Sequence, residues 1–176
     1  MEYVFIDIET TGLEPENSHI ISLAATKVRN GVVISNFSTY VRCPEPLPEE
    51  VISVTGIYEE HLIGAPTIDE ALKAFFDFGK GCMLVCYNLP FADKFLSYHS
   101  KKCGLYYDSV YTQKIDVLPI VKERLGEELK RNGSRSFLRH VADYFGIPHN
   151  LNDCLSQAIL LSKVYYKLIA DLDCNY

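Results

Sequence analysis

The distribution of apolar and polar positions along the chain predicts a sheet that begins with three neighbouring strands. Residues 3–8 form an almost continuous apolar run, which is typical of a strand buried on both faces. Two further extended segments, His19–Arg29 and Val32–Val41, are separated by Asn30-Gly31, the strongest short signal for a β-hairpin. We therefore expect the first three strands to form an antiparallel meander.

After the meander, the pattern alternates between helix and strand. Two more strands are expected, at Met83–Tyr87 and Lys114–Leu118. The expected helices are a short one at Glu49–Val54, one that opens at Thr67 and runs to Gly79, and others at Phe91–Lys102, Ser134–Phe145 and Asn152–Ala170. This order predicts an α/β fold, with a mixed five-stranded sheet flanked by helices in a single domain of residues 1–176.

Two acids interrupt the apolar character of the first strand. Asp7 and Glu9 are two residues apart, so their side chains point to the same face of the strand, about 6–7 Å apart along the backbone. A buried, unpaired carboxylate costs several kcal/mol, and the pair therefore needs a cation or a crevice. Thr10-Thr11-Gly12 ends the strand, which places the acids where open α/β sheets carry their sites. The alternative is an edge strand with solvated acids, although the flanking residues are too apolar for an edge.

Charge and composition limit the kinds of molecule that the protein is expected to bind. A net charge of −6 and a pI near 5.3 argue against a broad basic surface for nucleic acid, but not against a small site that grips a strand end through metal ions. The chain has no long apolar stretch and does not begin with a basic leader, so we expect a cytoplasmic protein with no membrane partner. The six cysteines are scattered and are expected to be reduced packing residues: Cys43, Cys82, Cys86, Cys103, Cys154 and Cys174.

The chain resembles the DEDDh exonucleases, the DnaQ-like group that includes proofreading subunits of bacterial replicative polymerases and ribonuclease T. The resemblance begins at Phe5–Gly12, continues through Val54–Leu62 and Leu84–Leu96, and ends at Phe145–Ala158, in family order. It implies a ribonuclease H-like fold and hydrolysis of phosphodiester bonds from the 3′ end of single-stranded DNA or RNA, assisted by two Mg²⁺ or Mn²⁺ ions. A polymerase or another replication protein is the implied partner.

The resemblance also implies roles for individual residues. Asp7, Glu9 and Asp153 are the expected metal ligands and catalytic acids. Asp153 stands where a helix opens, so capping of that helix is the alternative role. His149 is the expected general base for the attacking water, and an exposed loop histidine is the alternative. The family separates the base from the following acid by five residues, whereas His149 and Asp153 are four apart.

The second motif departs from the family pattern His-Asn-Ala-x-Phe-Asp. Aligned without a gap, Tyr87–Ala92 places Ala92 at the aspartate position. Asp93 follows one residue later, and one step along a helix rotates a side chain by about 100°. Because Pro90 permits a reset of the helix start, Asp93 is either a metal ligand or a surface charge.

Substrate contacts are expected on both sides of the acids. By resemblance, Thr10, Thr11 and Gly12 offer backbone groups to the terminal nucleotide, while Leu13 and Phe91 pack against bases. Core packing is the alternative for the last two residues.

Two functions remain open at this point. The leading hypothesis is a metal-dependent 3′–5′ exonuclease. The alternative is a catalytically weakened exonuclease fold that binds nucleic acid or a protein, and it is supported by Ala92 and by the shortened third motif.

Overall fold

A mixed five-stranded sheet with the strand order β3-β2-β1-β4-β5 forms the centre of the protein. The structure is a computed structural model that describes residues 1–131, 133 and 137–173, except for the side chains of residues 171–173. The first three strands pair antiparallel, and β1, β4 and β5 pair parallel. The sequence-based expectation of a meander followed by parallel strands is confirmed. The strands are β1 (Glu2–Thr10), β2 (Ile20–Arg29), β3 (Val32–Tyr40), β4 (Met83–Cys86) and β5 (Gln113–Asp116).

The helices are α1 (Glu49–Thr55), α2 (Glu59–Leu62), α3 (Ile68–Gly79), α4 (Leu89–Lys102), α5 (Val117–Arg131), α6 (Leu138–Tyr144) and α7 (Cys154–Asp173). None of the helices in the described ranges has the length and apolar character needed to cross a membrane. The expected helix start at Ser134 and the sixth cysteine, Cys174, lie outside the described residues.

The alternation of side chains along β1 divides the core into two halves. Val4, Ile6 and Ile8 pack with residues of α3 and α4 on one face of the sheet. Phe5 packs with residues of α5, α6 and α7 on the other face. Since β1 lies between β2 and β4 and is covered on both faces, an edge strand with solvated acids is excluded. Asp7 and Glu9 share the parity of Phe5 and therefore face the α7 side.

The sequence pattern missed two helices, and it placed the end of the fifth strand two residues too late. The expected strand Lys114–Leu118 stops at Asp116, whose Oδ1 accepts the Leu118 backbone N–H at 3.2 Å as α5 begins. The short helix α2 and the long helix α5 were not predicted. A signal for α5 was present, because its buried residues repeat at every fourth position: Val117, Val121, Leu125 and Leu129.

Replacing Leu125 by alanine tests whether α5 packs on the sheet as described. Leu125 is buried in the core on the α7 side of the sheet, so we expect Leu125→Ala to lower the free energy of unfolding by about 2–5 kcal/mol. The neighbouring Arg124 is exposed, and Arg124→Ala should change it by no more than about 0.5 kcal/mol. Denaturant titrations measure both. Equal, small effects of the two substitutions would contradict this packing.

Candidate functional site

A pair of carboxylates lies at the carboxyl end of the central strand. Asp7 is opposite Ala24 of β2, and Glu9 is opposite Ser22, two positions further along. Asp7 Oδ2 is sealed from solvent and accepts no hydrogen bond from the described residues. Glu9 is partly exposed, and its Oε1 accepts a hydrogen bond from Gln157 Nε2 of α7 at 3.0 Å. The two acids therefore lie close together near the carboxyl end of β1, on the face that α7 covers.

Burial makes both acids hard to ionise. It raises the pKa of Asp7 to about 8, and the neighbouring Glu9 carboxylate adds to the rise. It also raises the pKa of Glu9 to about 7, against the opposing effect of the hydrogen bond from Gln157. Carboxyl groups with such high pKa values in a crevice are typical of functional sites.

Cys154 is a site residue that the sequence analysis missed. It is the first residue of α7, it is 3% exposed, and its thiol lies beside the Asp7 carboxylate. Burial, reinforced by the charges of Asp7 and Glu9, raises the pKa of this thiol well above its usual value, so it remains protonated. A signal was available, because Cys154 is the fifth residue after His149 and five is the offset that the resemblance gives between base and acid.

Asp153 lies at the rim of the site, where its carboxylate caps α7. Its Oδ1 accepts the Ser156 backbone N–H at 2.6 Å, and the Asp153 backbone N–H donates to Ser156 Oγ at 3.2 Å. This reciprocal pair satisfies two of the free N–H groups at a helix start. Asp153 shares a crevice with Glu9, but the structure uses its carboxylate in the capping role that was the alternative in the sequence analysis.

Neither residue at the second motif brings a carboxylate to the pair. Ala92 is buried in the first turns of α4 and packs in the same apolar cluster as Ile8. The Asp93 carboxylate accepts a hydrogen bond from the Tyr107 hydroxyl at 2.9 Å and from Lys114 Nζ at 2.7 Å. The rotation expected from a one-residue step thus turns Asp93 toward the β5 side of α4, into a local ion pair.

His149 is directed toward Asp143 in the described conformation. Its Nε2 lies 3.0 Å from Asp143 Oδ1, near the end of α6. The Asp143 side chain is largely exposed, and an ion pair of this kind contributes about 0–1 kcal/mol. This contact with Asp143 can break at little cost, and His149 can act as the general base only after it has broken.

The turn after β1 is braced by its own threonines. Thr10 Oγ1 donates to the Gly12 carbonyl at 2.7 Å, and Thr11 Oγ1 accepts the His19 backbone N–H at 2.9 Å. Leu13, at the end of this turn, is 73% exposed. The turn is held in shape while its apolar tip stays open to a ligand.

Phe91 occupies an intermediate position. It packs partly against the core cluster that contains Phe95, with the two ring centroids 5.1 Å apart. Its remaining exposed surface leaves it available for contact with a base, so both of the roles considered from the sequence are compatible with its place.

A small crevice of about 140 Å³ opens beside Glu9. Its walls come from β2, β3, the α1–α2 connection and the start of α7, and include Ser22, Tyr40, Asp153 and Cys154. Larger clefts lie around Arg42–Pro46 and around Gly104–Ser109, and neither includes Asp7 or Glu9.

The residues present do not fit the two-ion site that the family resemblance implies. Mg²⁺ and Mn²⁺ require oxygen ligands. Asp7 and Glu9 supply carboxylates, but Ala92 stands at the second-motif aspartate position, and Asp153 Oδ1 is used to cap α7. Within the described ranges, no three or more His, Cys, Asp or Glu side chains are grouped so that they could hold one ion.

Comparison with known proteins gives a consistent family. A family model described as an exonuclease, of the ribonuclease T type, matches residues 4–160. The PolC-type DNA polymerase III of Caldanaerobacter subterraneus is 36% identical over 129 residues, which are 73% of this chain and 9% of that protein. The DNA polymerase III epsilon subunit of Aquifex aeolicus is 28% identical over 175 residues, 99% of this chain and 83% of the subunit. The chain thus spans only a small part of its PolC-type relatives.

Solved structures share the fold. The zinc-bound complex of Escherichia coli exonuclease I with single-stranded DNA superposes with a TM-score of 0.82 and 16% identity, covering 96% of this chain and 40% of the other. The nuclease domain of 3′hExo, a DEDDh family member bound to rAMP, gives a TM-score of 0.79 and 20% identity, covering 97% and 92%. These likenesses confirm the expected ribonuclease H-like architecture.

The raised pKa values predict how the stability of the metal-free protein depends on pH. Because Asp7 and Glu9 hold protons more tightly when folded than when unfolded, their contribution is fully present below about pH 4 and is lost as the pH rises to about 8. At about pH 9, Asp7→Asn should therefore melt at least 2–4 °C above the parent chain, the shift that about 1 kcal/mol gives in a chain of this size. At about pH 4 the two should melt together.

Asp77→Asn serves as the control, because Asp77 is exposed on α3. Thermal melts in the presence of a chelator, recorded across this pH range, provide the measurement. If Asp7→Asn and Asp77→Asn followed the parent chain equally at all pH values, Asp7 would not be a buried carboxyl group.

Proposed function

Because this chain belongs to the DEDDh family of exonucleases, we propose that it binds the 3′ end of single-stranded nucleic acid beside Glu9 and hydrolyses that end slowly. The proposal rests on one observation above others. Beside Asp7 lies the buried thiol of Cys154, five residues after His149, where the resemblance would place an acid if no residue were missing. The chain keeps the crevice and the first acid pair of an exonuclease, and it lacks the acids that complete the site.

The parts that would hold a nucleotide are retained. The turn Thr10–Gly12 is braced by side-chain hydrogen bonds, and Leu13 projects from it into solvent. Glu9 lines a crevice that opens to the same end of the sheet. Stacking and backbone contacts of this kind tolerate any base sequence, which suits a protein that holds the ends of strands.

The parts that would carry out hydrolysis are diminished. A methyl group at Ala92 and a thiol at Cys154 offer no oxygen to a hard divalent ion. One oxygen of Glu9 is already engaged by Gln157, and His149 by Asp143. Each of these features lowers the rate that Asp7 and Glu9 can support, so slow hydrolysis is a consequence of the side chains present.

A replicative polymerase is the protein partner that we propose. The relatives are a PolC-type polymerase and a polymerase epsilon subunit, and an exonuclease fold with low activity could still hold a strand end for such an enzyme. Co-elution of this chain with the polymerase of the same cell, with and without a 3′-overhang duplex, tests the association.

Restoring the two missing acids should raise the activity. We expect Ala92→Asp combined with Cys154→Asp to increase Mn²⁺-dependent release of nucleotides from a 5′-labelled oligonucleotide by at least about tenfold, because changes of metal surroundings alone alter activity 10–100-fold. The increase should disappear when Asp7→Asn is added to the double variant. A time course of shortened products resolves rate and direction together.

Asp153→Ser is the matched control for the third motif. Serine keeps the helix cap but removes the carboxylate, so the activity of the parent chain should be unchanged. If the parent chain instead cleaves at several turnovers per second and Asp153→Ser abolishes cleavage, Asp153 is a metal ligand. The chain would then be a complete exonuclease, and the proposal of slow hydrolysis would be wrong.

A further inference from the structure

Three exposed aromatic rings lie next to the crevice, and the carboxylate site gives none of them a role. Tyr40 ends β3, Tyr58 is the residue just before α2, and His61 lies within α2. The rings of Tyr40 and His61 are parallel, with centroids 5.4 Å apart and planes 8° from each other. Tyr58 meets the His61 ring edge-on at 5.7 Å. We call these three residues the aromatic platform.

The segment that carries the platform has an anchor of its own besides the platform rings. The α1–α2 region is anchored by a separate apolar cluster in which Ile57 and Leu62 pack against Ile21 and Leu47. Tyr40 is 37% exposed and Tyr58 51% exposed, and neither belongs to a buried cluster of the described residues. Large rings that remain open to water in this way carry apolar area that a ligand can cover.

The platform is continuous with the crevice that contains Glu9. Tyr40 forms part of the wall of that crevice, and so do Gly56 and Ile57, which lead directly into Tyr58. A strand whose end reaches Glu9 would therefore pass the platform within one or two nucleotides of its end. No other described crevice wall includes Glu9 together with an aromatic ring.

The rings are also held in a fixed arrangement. His61 Nδ1 accepts the backbone N–H of Tyr58 at 3.1 Å, which fixes the imidazole relative to the helix start. Gly56 ends α1 in the left-handed region, with a φ of 68°, and so sets the direction of the connection to Tyr58. A stacking surface that is ordered before binding loses little conformational entropy when a base arrives.

Charge favours a base over a phosphate as the ligand of this surface. Glu59 and Glu60 follow Tyr58 directly, and the chain as a whole carries a net charge of −6. A phosphate would be repelled there, whereas an uncharged base presents a flat π-face to the rings. We propose that the aromatic platform stacks an unpaired base of the bound single strand; the inference rests on the proposed function and names a second contact for the same strand.

A single tryptophan can report this contact directly, because the chain contains none. We expect Tyr58→Trp to preserve stacking and its indole fluorescence to be quenched when a poly(dT) oligonucleotide binds in the presence of a chelator. Tyr106→Trp is the control, since Tyr106 is 88% exposed and lines two clefts away from Glu9. The fluorescence of the control should not change at the same oligonucleotide concentrations.

Affinity provides a second readout on the same oligonucleotide. Stacking of one base is worth about 1–3 kcal/mol, or roughly 5- to 150-fold in Kd, so fluorescence anisotropy of a labelled strand should show a loss of that size for Tyr58→Ala. Tyr58→Phe keeps the ring and should bind like the parent chain. Melting curves confirm that each variant is folded.

Abasic nucleotides locate the stacked base. Abasic sites are placed one at a time in the last four positions of the strand, and each strand is titrated with the parent chain and with Tyr58→Ala. One position near the 3′ end should weaken binding to the parent chain and leave Tyr58→Ala unaffected, which is the sign of a shared contact.

The outcomes separate the inference from the proposed function. If the strand binds but Tyr58→Trp is not quenched and Tyr58→Ala keeps its Kd, the platform proposal is overturned while strand-end binding stands. If no oligonucleotide binds to the parent chain, the proposed function fails and the platform proposal fails with it. Quenching of Tyr58→Trp together with weaker binding by Tyr58→Ala supports both.

Discussion

The burial of a carboxylate at the end of the central strand is the constraint on which the rest of the site depends. β1 is covered on both faces and is apolar from Tyr3 to Ile6, yet Asp7 and Glu9 follow before the strand ends at Thr10. Asp7 has one oxygen without a hydrogen bond from the described residues, and desolvation raises its pKa to about 8. A proton, a cation or a donor must compensate for that burial. The side chains that the neighbouring elements place around Asp7 and Glu9 meet that requirement.

The chain meets the requirement with neutral groups. The Cys154 thiol faces Asp7, the Gln157 amide donates to Glu9, and Ala92 fills its place in the core with a methyl group. Further carboxylates at these places would add repulsion to a pair that already disfavours ionisation, and only bound ions could offset it. A thiol and a methyl group at these places are therefore compatible with the buried acid pair in the absence of bound ions.

Binding and chemistry are thus separable in this fold. The two acids lie near the end of β1, whereas Leu13 lies in the turn after that strand and the aromatic platform belongs to β3 and the α2 region. Contacts made through rings and backbone do not depend on the charge of the site. They also suit an acidic chain, because stacking needs no basic surface. For this reason, a member of the family with few metal ligands could still bind the end of a nucleic-acid strand.

Much of the architecture was determined by the sequence alone, because it rests on local signals. The Asn30-Gly31 turn, the apolar run of β1 and the Asp7–Glu9 spacing act through neighbouring residues, and the antiparallel meander and the placement of the two acids on one face followed from them. Helix α5 was missed because its apolar positions are diluted by charged ones. Tertiary structure alone decided the rest: Asp93 turns to Lys114, Asp153 caps α7, and Cys154 faces Asp7. The physical reason is that a shift of a helix start by one residue turns each side chain by about 100°. A sequence does not show where a helix begins to an accuracy of one residue.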